Sequence, residues 1–513
     1  MFFNRLSLVL FGAWIAVALP QSAAGAVRCE ALSGVKLQAG SVTAAEPVTA
    51  RGFVAAGPPA SGAAQALYAR LPAFCRVHVT LTPTPDSYIR VEVWLPLTSW
   101  NGRFQAVGNG GFAGTLPYAA MARALFDGFA TAGTDTGHVG NNADFTLGHH
   151  ERLVDFAYRA IHEMTVAAKH LIDEHYGQAP QFSYFTGCSQ GGRQAITSAQ
   201  RYPADFDGIV AGAAAWDTMR SHGARLGMNL AMNRTPDAVI PPEKYPALHR
   251  AVLDACDLLD GVRDGLIGDP TACTVDFAAL TCKGSNTFSC LTPAQVASAR
   301  VITSPTTRPG TGEVLFPGHL MPGTELEWDI LGGPQPLGVA QSAIANLVYK
   351  NRDWTDRKFA LATELDRVDA ADAGLLASSD PNLAPFFARG GKLLMYHGWS
   401  DPQVPPQLST IYYSNVLRTV GPHAANSIAL FMMPGVYHCS GGPGADTFDR
   451  IGAIQSWVEK GQKPARIVAS RINAGKTTQT RPLCPFDQVA AYLGKGSTDD
   501  AANFACVTAP TRR

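Results

Sequence analysis

Gly187-Cys188-Ser189-Gln190-Gly191 sets a serine two residues from a glycine on either side. With a strand before it and a helix after it, that spacing marks a sharp turn that exposes the serine hydroxyl. The positive end of the following helix favours negative charge beside Ser189. The plainer reading is a serine capping a helix. A serine becomes a nucleophile only with a base to take its proton and an acid to orient the base. Downstream, "YHGWSDPQVPP" carries Asp401 and "PGVYHCSGGPG" carries His438, each just beyond a run that reads as a strand. Serine, acid and histidine would then share the carboxyl edge of one sheet, where sites of this kind are built.

Other histidines and carboxylates compete for these roles. His397 precedes Asp401 but sits at a strand end, where a structural hydrogen bond suits it better. Asp135 and His138 come too early in the chain order and read as loop scaffolding, while His149 and His150 read as surface residues. Acyl transfer also needs N–H donors for the oxyanion, one of them from the residue after the nucleophile. Gln190 fills that position. The second donor is expected from "GNGGFAG", with Gly111 first and Gly110 as the alternative. Without the other three residues, that stretch would read as an ordinary loop.

The elements needed to position these groups are legible. "YIRVEVWLPL" (88–97) alternates polar and apolar residues as a half-buried strand does. "RFQAVGNGG" and "FATAGTDTG" read as short strands running into turns, and apolar residues from Arg152 to Tyr176 recur at helical spacing. "FSYFTG", a helix over 190–201 and "FDGIVAGAAA" follow. Strands alternating with helices predict a doubly wound, mostly parallel α/β sheet. The rhythm stops after Trp216 and resumes at "GKLLMYHG", followed by a helix near 406–418, the strand "SIALFMMPG" and a helix near 447–460. The expected organisation is a catalytic domain over 27–216 and 386–513, interrupted by a lid-like insertion over 217–385.

Lys plus Arg and Asp plus Glu both number 41 in this chain of 513 residues, so no charge excess points to nucleic acid. Residues 1–26 combine Arg5, an apolar run and Ala24-Gly25-Ala26, the layout of a cleaved signal peptide. No later stretch is apolar enough to span a bilayer, so a secreted or periplasmic protein without a membrane anchor is expected. Ten cysteines in an exported chain favour disulfides. Short spacings suggest Cys256–Cys273, Cys282–Cys290 and Cys484–Cys506, and Cys29 and Cys75 would tie the N-terminal arm to the body. Cys188 and Cys439 remain, each adjoining a candidate catalytic residue. If Ser189 and His438 meet, these two fall within the ~4.4–6.8 Å Cα separation of a disulfide. In the insertion, "CDLLDGVRDGLIGDP" clusters Asp257, Asp260 and Asp264, with carbonyls from Val262 and Leu266 available to a hard cation such as Ca²⁺. Taken alone it reads equally well as a solvated acidic turn.

Together, "WNGRF…GNGG", "YFTGCSQGGRQ", "FDGIVAGA", "CDLLDGVRDG", "YHGWSD", "HCSGGPG" and "RPLCPFD" resemble the tannase and feruloyl esterase family of α/β-hydrolases. The resemblance spans nearly all of the chain after residue 26. It implies Ser189, Asp401 and His438 as a triad, Gly111 and Gln190 as oxyanion donors, and a structural calcium on Asp257, Asp260, Val262, Asp264 and Leu266. It also implies the disulfide Cys188–Cys439 together with the four pairs above. The substrate class implied is a small aromatic ester, feruloyl-type first, with galloyl esters or mono(2-hydroxyethyl) terephthalate as alternatives. A non-catalytic binding protein on the same fold is the alternative of another class. Trp328, Trp354, Phe386 and Phe387 are candidates for an aromatic wall, with core packing as the plainer role. No arginine can be placed that would select a free substrate carboxylate, and the oligomeric state is left open.

Overall fold

The structure is a computed structural model that describes residues 27–56 and 61–509, so the signal peptide read at 1–26 lies outside the described residues. Ten strands form one sheet: β1 (Lys36–Leu37), β2 (Gly40–Val48), β3 (Phe74–Leu81), β4 (Ile89–Pro96), β5 (Arg103–Val107), β6 (Ala130–Thr134), β7 (Phe182–Cys188), β8 (Gly208–Gly212), β9 (Lys392–Gly398) and β10 (Ile428–Met433). Their spatial order is β1-β2-β3-β4-β6-β5-β7-β8-β9-β10. From β6 to β10 every neighbouring pair is parallel. From β1 to the β4–β6 pair every neighbour is antiparallel.

The parallel strands are apolar on both faces because helices cover both. Successive residues divide by parity, as the two-residue period of a strand requires. Phe185, Ile209, Leu393, Met395 and Leu430 join the core with Ile161, Leu171, Ile196 and Leu408 from helices on one face. Tyr184, Val210, Leu394, Tyr396 and Phe431 face the other way, onto Ile454 and Trp457 of the helix Arg450–Lys460.

Two regions differ from the sequence reading. The first three strands are absent from that reading: the burial of β2 is set by partners rather than by its own alternation, whereas β3 does alternate in sequence and burial. The stretch between β8 and β9, which shows no regular rhythm in sequence, is largely helical: Thr218–Met232, Tyr245–Cys256, Pro293–Thr303 and Leu361–Asp372. It has an apolar core of its own, including Leu248, Val252, Phe277, Val296, Ile302 and Trp328. The helix read at Arg152–Tyr176 is interrupted by a π-helical turn at Asp155–Arg159. All five disulfides are present as expected: Cys29–Cys75, Cys188–Cys439, Cys256–Cys273, Cys282–Cys290 and Cys484–Cys506.

Candidate active site

Ser189 stands between β7 and the helix Gln190–Arg201 with φ 63° and ψ −122°, a positive φ that few non-glycine residues accept. Its N–H donates to Gly212 O at 2.9 Å, and its carbonyl accepts from Arg193 N at 3.0 Å and Ala215 N at 3.2 Å. The turn is thus fixed from β8 and from its own helix. Close backbone approach demands the glycines here. A Cβ on Gly187 would lie 2.3 Å from Gly191 O, and one on Gly108 would lie 2.7 Å from Gly191 Cα. The serine turn and the loop after β5 therefore touch backbone to backbone.

That loop is held by Asn109. Its N–H donates to Gln194 Oε1 at 3.0 Å, and its Nδ2 donates to Thr134 O at 2.8 Å and Thr115 O at 3.0 Å. Gly111 follows with φ 51°. Gly111 and Gln190 line the same cavity as Ser189, and neither backbone N–H has a protein acceptor among the described residues.

His438 lies beyond β10 and Asp401 just beyond β9. His438 Nδ1 is 2.7 Å from Asp401 Oδ2, so the ring donates to the carboxylate and directs its Nε2 elsewhere. Asp401 is fully buried. It also accepts from Gln403 N at 2.7 Å, Val404 N at 2.9 Å and His397 Nε2 at 3.0 Å. Burial opposes its charge, but the adjacent His438 and the hydrogen bonds outweigh that and hold its pKa well below the usual carboxylate range. His397 is buried behind Asp401, with Nδ1 2.8 Å from Ser409 Oγ; it orients the acid and does not face the cavity.

Ser189, His438, Cys188 and Cys439 line a cavity of about 490 Å³, with Gly108 to Phe112, Thr218, Ser221, His222, Arg225 and Val339 among the other walls. A larger cavity of about 790 Å³ adjoins it at Val339 but contains none of the three candidate catalytic residues. The aromatic candidates from the sequence are not in either wall. Trp328 and Phe386 are fully buried in cores, and Trp354 and Phe387 pack against the main core. The aromatic wall is instead Phe112, whose ring stacks near His222 at 5.7 Å.

Asp135 binds Arg90 and Gly137 N, and His138 bonds Phe112 O at 2.8 Å while stacking on Phe145. Both support the loops around the cavity. His149 pairs with Asp86 at 2.8 Å, and His150 is exposed.

Sequence reasoning missed Arg193 and Arg225. Arg193 is fully buried and donates to Gln190 Oε1, Ala157 O and Phe156 O at 3.0, 2.8 and 3.2 Å. It thereby bolts the helix behind Ser189 to carbonyls of the π-helical turn. Thr218, Ser221, His222 and Arg225 recur at helical spacing, but in a sequence such a polar stripe reads as a solvated face.

In the Asp257–Leu266 loop, Asp257 Oδ1 accepts from Gly265 N at 3.1 Å, Asp260 Oδ1 from Val262 N at 3.2 Å and Asp264 Oδ1 from Leu266 N at 3.1 Å. Asp264 Oδ2 pairs with Arg481. Among the described residues, no group of three or more His, Cys, Asp and Glu side chains is arranged to hold a metal ion. The donors on offer are nonetheless all oxygens. Burial, then the charges of Asp264 and Asp257, push the Asp260 carboxyl up to about 7, a repulsion that a hard cation would relieve.

Comparison with known proteins agrees with this architecture. The family model "Tannase and feruloyl esterase" matches residues 75–507. An uncharacterized esterase of Xanthomonas campestris is 33% identical over 96% of this chain and 93% of its own length. A probable feruloyl esterase B-1 of Aspergillus oryzae is 34% identical over 85% and 84%. The crystal structure of feruloyl esterase B from Aspergillus oryzae superposes with a TM-score of 0.85 at 31% identity, covering 93% of this chain and 99% of that one. Tannin acyl hydrolase from Aspergillus niger shares the fold with a TM-score of 0.77 at 23% identity, over 93% and 92%. With an α/β-hydrolase sheet and a family match over most of its length, the chain belongs to the tannase and feruloyl esterase family of carboxylic ester hydrolases.

Proposed function

We propose that this protein is a secreted serine carboxylesterase acting on esters of aromatic acids, with hydroxycinnamoyl (feruloyl-type) esters first. The observation that carries the reading is the 2.7 Å hydrogen bond between His438 and the buried Asp401, at the edge of a cavity that His438 shares with Ser189. Ser189 Oγ attacks the ester carbonyl carbon while His438 Nε2 takes the hydroxyl proton. Asp401 holds the ring in the tautomer that leaves Nε2 free to accept. The N–H groups of Gln190 and Gly111 stabilise the oxyanion, worth roughly 3–4 kcal/mol per donor in sites of this kind. His438 then protonates the departing alkoxide, leaving an acyl-Ser189 ester. Water attacks that ester with His438 again as base, and the acid leaves.

Export is supported by the signal-like segment at 1–26 and by five disulfides, which persist in oxidising compartments. No helix among the described residues is long and apolar enough to cross a membrane. Calcium fits the oxygen chemistry of Asp257, Asp260, Asp264 and the Val262 and Leu266 carbonyls, in a structural role that contributes no step to the reaction.

A fluorophosphonate probe should label Ser189 in the folded protein and fail to label Ser189→Ala; no labelling of the wild type would defeat the enzyme mechanism. Methyl ferulate, methyl gallate and mono(2-hydroxyethyl) terephthalate, assayed side by side, decide the substrate. Turnover of the gallate alone would make the protein a tannase instead.

A further inference from the structure

Arg225 is a buried cation without a counter-ion. Its residue is 6% exposed, its Nε has no hydrogen-bond partner, and its Nη1 bonds the neutral ring of His222 at Nδ1 over 3.4 Å. It forms no ion pair among the described residues. Asp401, the acid whose field it feels, is already occupied by His438, His397 and two backbone N–H groups. His222 and His319 are kept neutral by burial and by the Arg225 charge itself, so neither offsets it. One helical turn away, Ser221 Oγ is also buried without a partner. Ser221, His222 and Arg225 all line the cavity that holds Ser189.

An ionised group buried without a partner is expensive to retain, and a helix could place an apolar residue there at no such penalty. A planar guanidinium with free donors matches a carboxylate, which it can bind through two parallel N–H bonds. We infer that Arg225, assisted by the Ser221 hydroxyl, is the specificity-determining residue of this site and receives a carboxylate carried by the ester substrate. The inference rests on the esterase reading above and narrows it from aromatic esters in general to acidic ones. Arg225 does not take part in bond breaking; it fixes the far end of the substrate so that the ester carbonyl meets Ser189.

The test uses matched ester pairs with the mature wild-type enzyme and Arg225→Gln. Monomethyl against dimethyl terephthalate places the carboxylate on the acyl side. Caffeoylquinate against its methyl ester places it on the alcohol side. The wild type should prefer the free carboxylate in one pair by about tenfold or more in kcat/KM, chiefly through KM. Arg225→Gln should abolish that preference, losing about tenfold or more in kcat/KM on the acidic ester relative to its loss on methyl ferulate. Two outcomes would overturn the inference: no preference for the carboxylate in either pair by the wild type, or an equal loss on neutral and acidic esters in the variant. The second would make Arg225 a support for Asp401. The wild-type comparison needs no variant, and fluorophosphonate labelling of Arg225→Gln reports whether it folds. Failure of labelling in the wild type would defeat the esterase mechanism itself, a result distinct from loss of carboxylate preference.

Discussion

Cys188 and Cys439 are 251 residues apart in sequence and bonded with their Cα atoms 6.0 Å apart, one adjoining Ser189 and the other adjoining His438. Cys439 has φ 66° and Ser189 has φ 63°, so each half of the site contains a non-glycine residue in the left-handed region. The disulfide joins these two turns directly. It holds the proposed nucleophile and base in register where no element of secondary structure connects them.

Breaking that link should therefore harm catalysis more than its share of stability would suggest. Cys188→Ala with Cys439→Ala should lower kcat by about 10- to 100-fold through loosened serine–histidine geometry. Stability should fall by ~2–5 kcal/mol, as for other native disulfides. Esterase kinetics at a temperature where the variant remains folded, with near-UV circular dichroism as the folding check, separate the two effects. Full activity would assign the bond a purely stabilising role.

Asp401→Asn should preserve the fold and lower kcat by roughly 10³- to 10⁴-fold, because an amide cannot hold the productive tautomer of His438. The same variant has a signature in stability. The native carboxyl of Asp401 has a depressed pKa, so its contribution is fully present above the unfolded value of about 4 and is lost as pH falls toward the native value. Denaturant titrations of wild type and variant should converge as pH is lowered through that range. A constant gap would contradict the charged pairing.

Asp217 should show the opposite sign. It precedes the helix Thr218–Met232, and burial pushes its carboxyl up to about 7, with Arg220 opposing and Asp369 and Asp372 adding to the rise. The native state then binds more protons than the unfolded state between about pH 4 and pH 7, so stability falls as pH rises through that window. Asp217→Asn should raise stability at pH 8 by on the order of 1 kcal/mol, a figure reduced for the partial exposure of this residue, and change it little at pH 4. Urea unfolding at the two pH values measures the difference.

The calcium site proposed for the Asp257–Leu266 loop predicts that chelation lowers the melting temperature by a few degrees and that added Ca²⁺ restores it. The effect should vanish in Asp257→Asn with Asp260→Asn. Calorimetric scans with and without chelator, alongside metal analysis of the purified protein, check it. An unchanged melting temperature and no bound calcium would remove the ion from the account.

Much of this was legible from residue order alone because it depends on local rules. The parallel strands announce themselves as short apolar runs alternating with amphipathic helices, and the Ser189 turn is written in glycine spacing that a crowded bend requires. Position in the chain likewise set Asp401 and His438 at strand ends. Other features depend on surfaces meeting across long separations. β2 is a strand because β1 and β3 flank it, not because its own sequence alternates. Gly108 and Gly191 touch because β5 and β7 are neighbours, although they stand 83 positions apart in sequence. Arg225 shows the limit most clearly. On a helix wheel it belongs to a polar stripe suited to water, and only the packing of that helix within the tertiary structure turns the stripe inward, toward the cavity that Ser189 also lines. The sequence by itself determined which groups could react. Tertiary structure decided which were dry, which were paired, and which charge was left open to a ligand, because burial and pairing arise only when distant segments exclude water from one another.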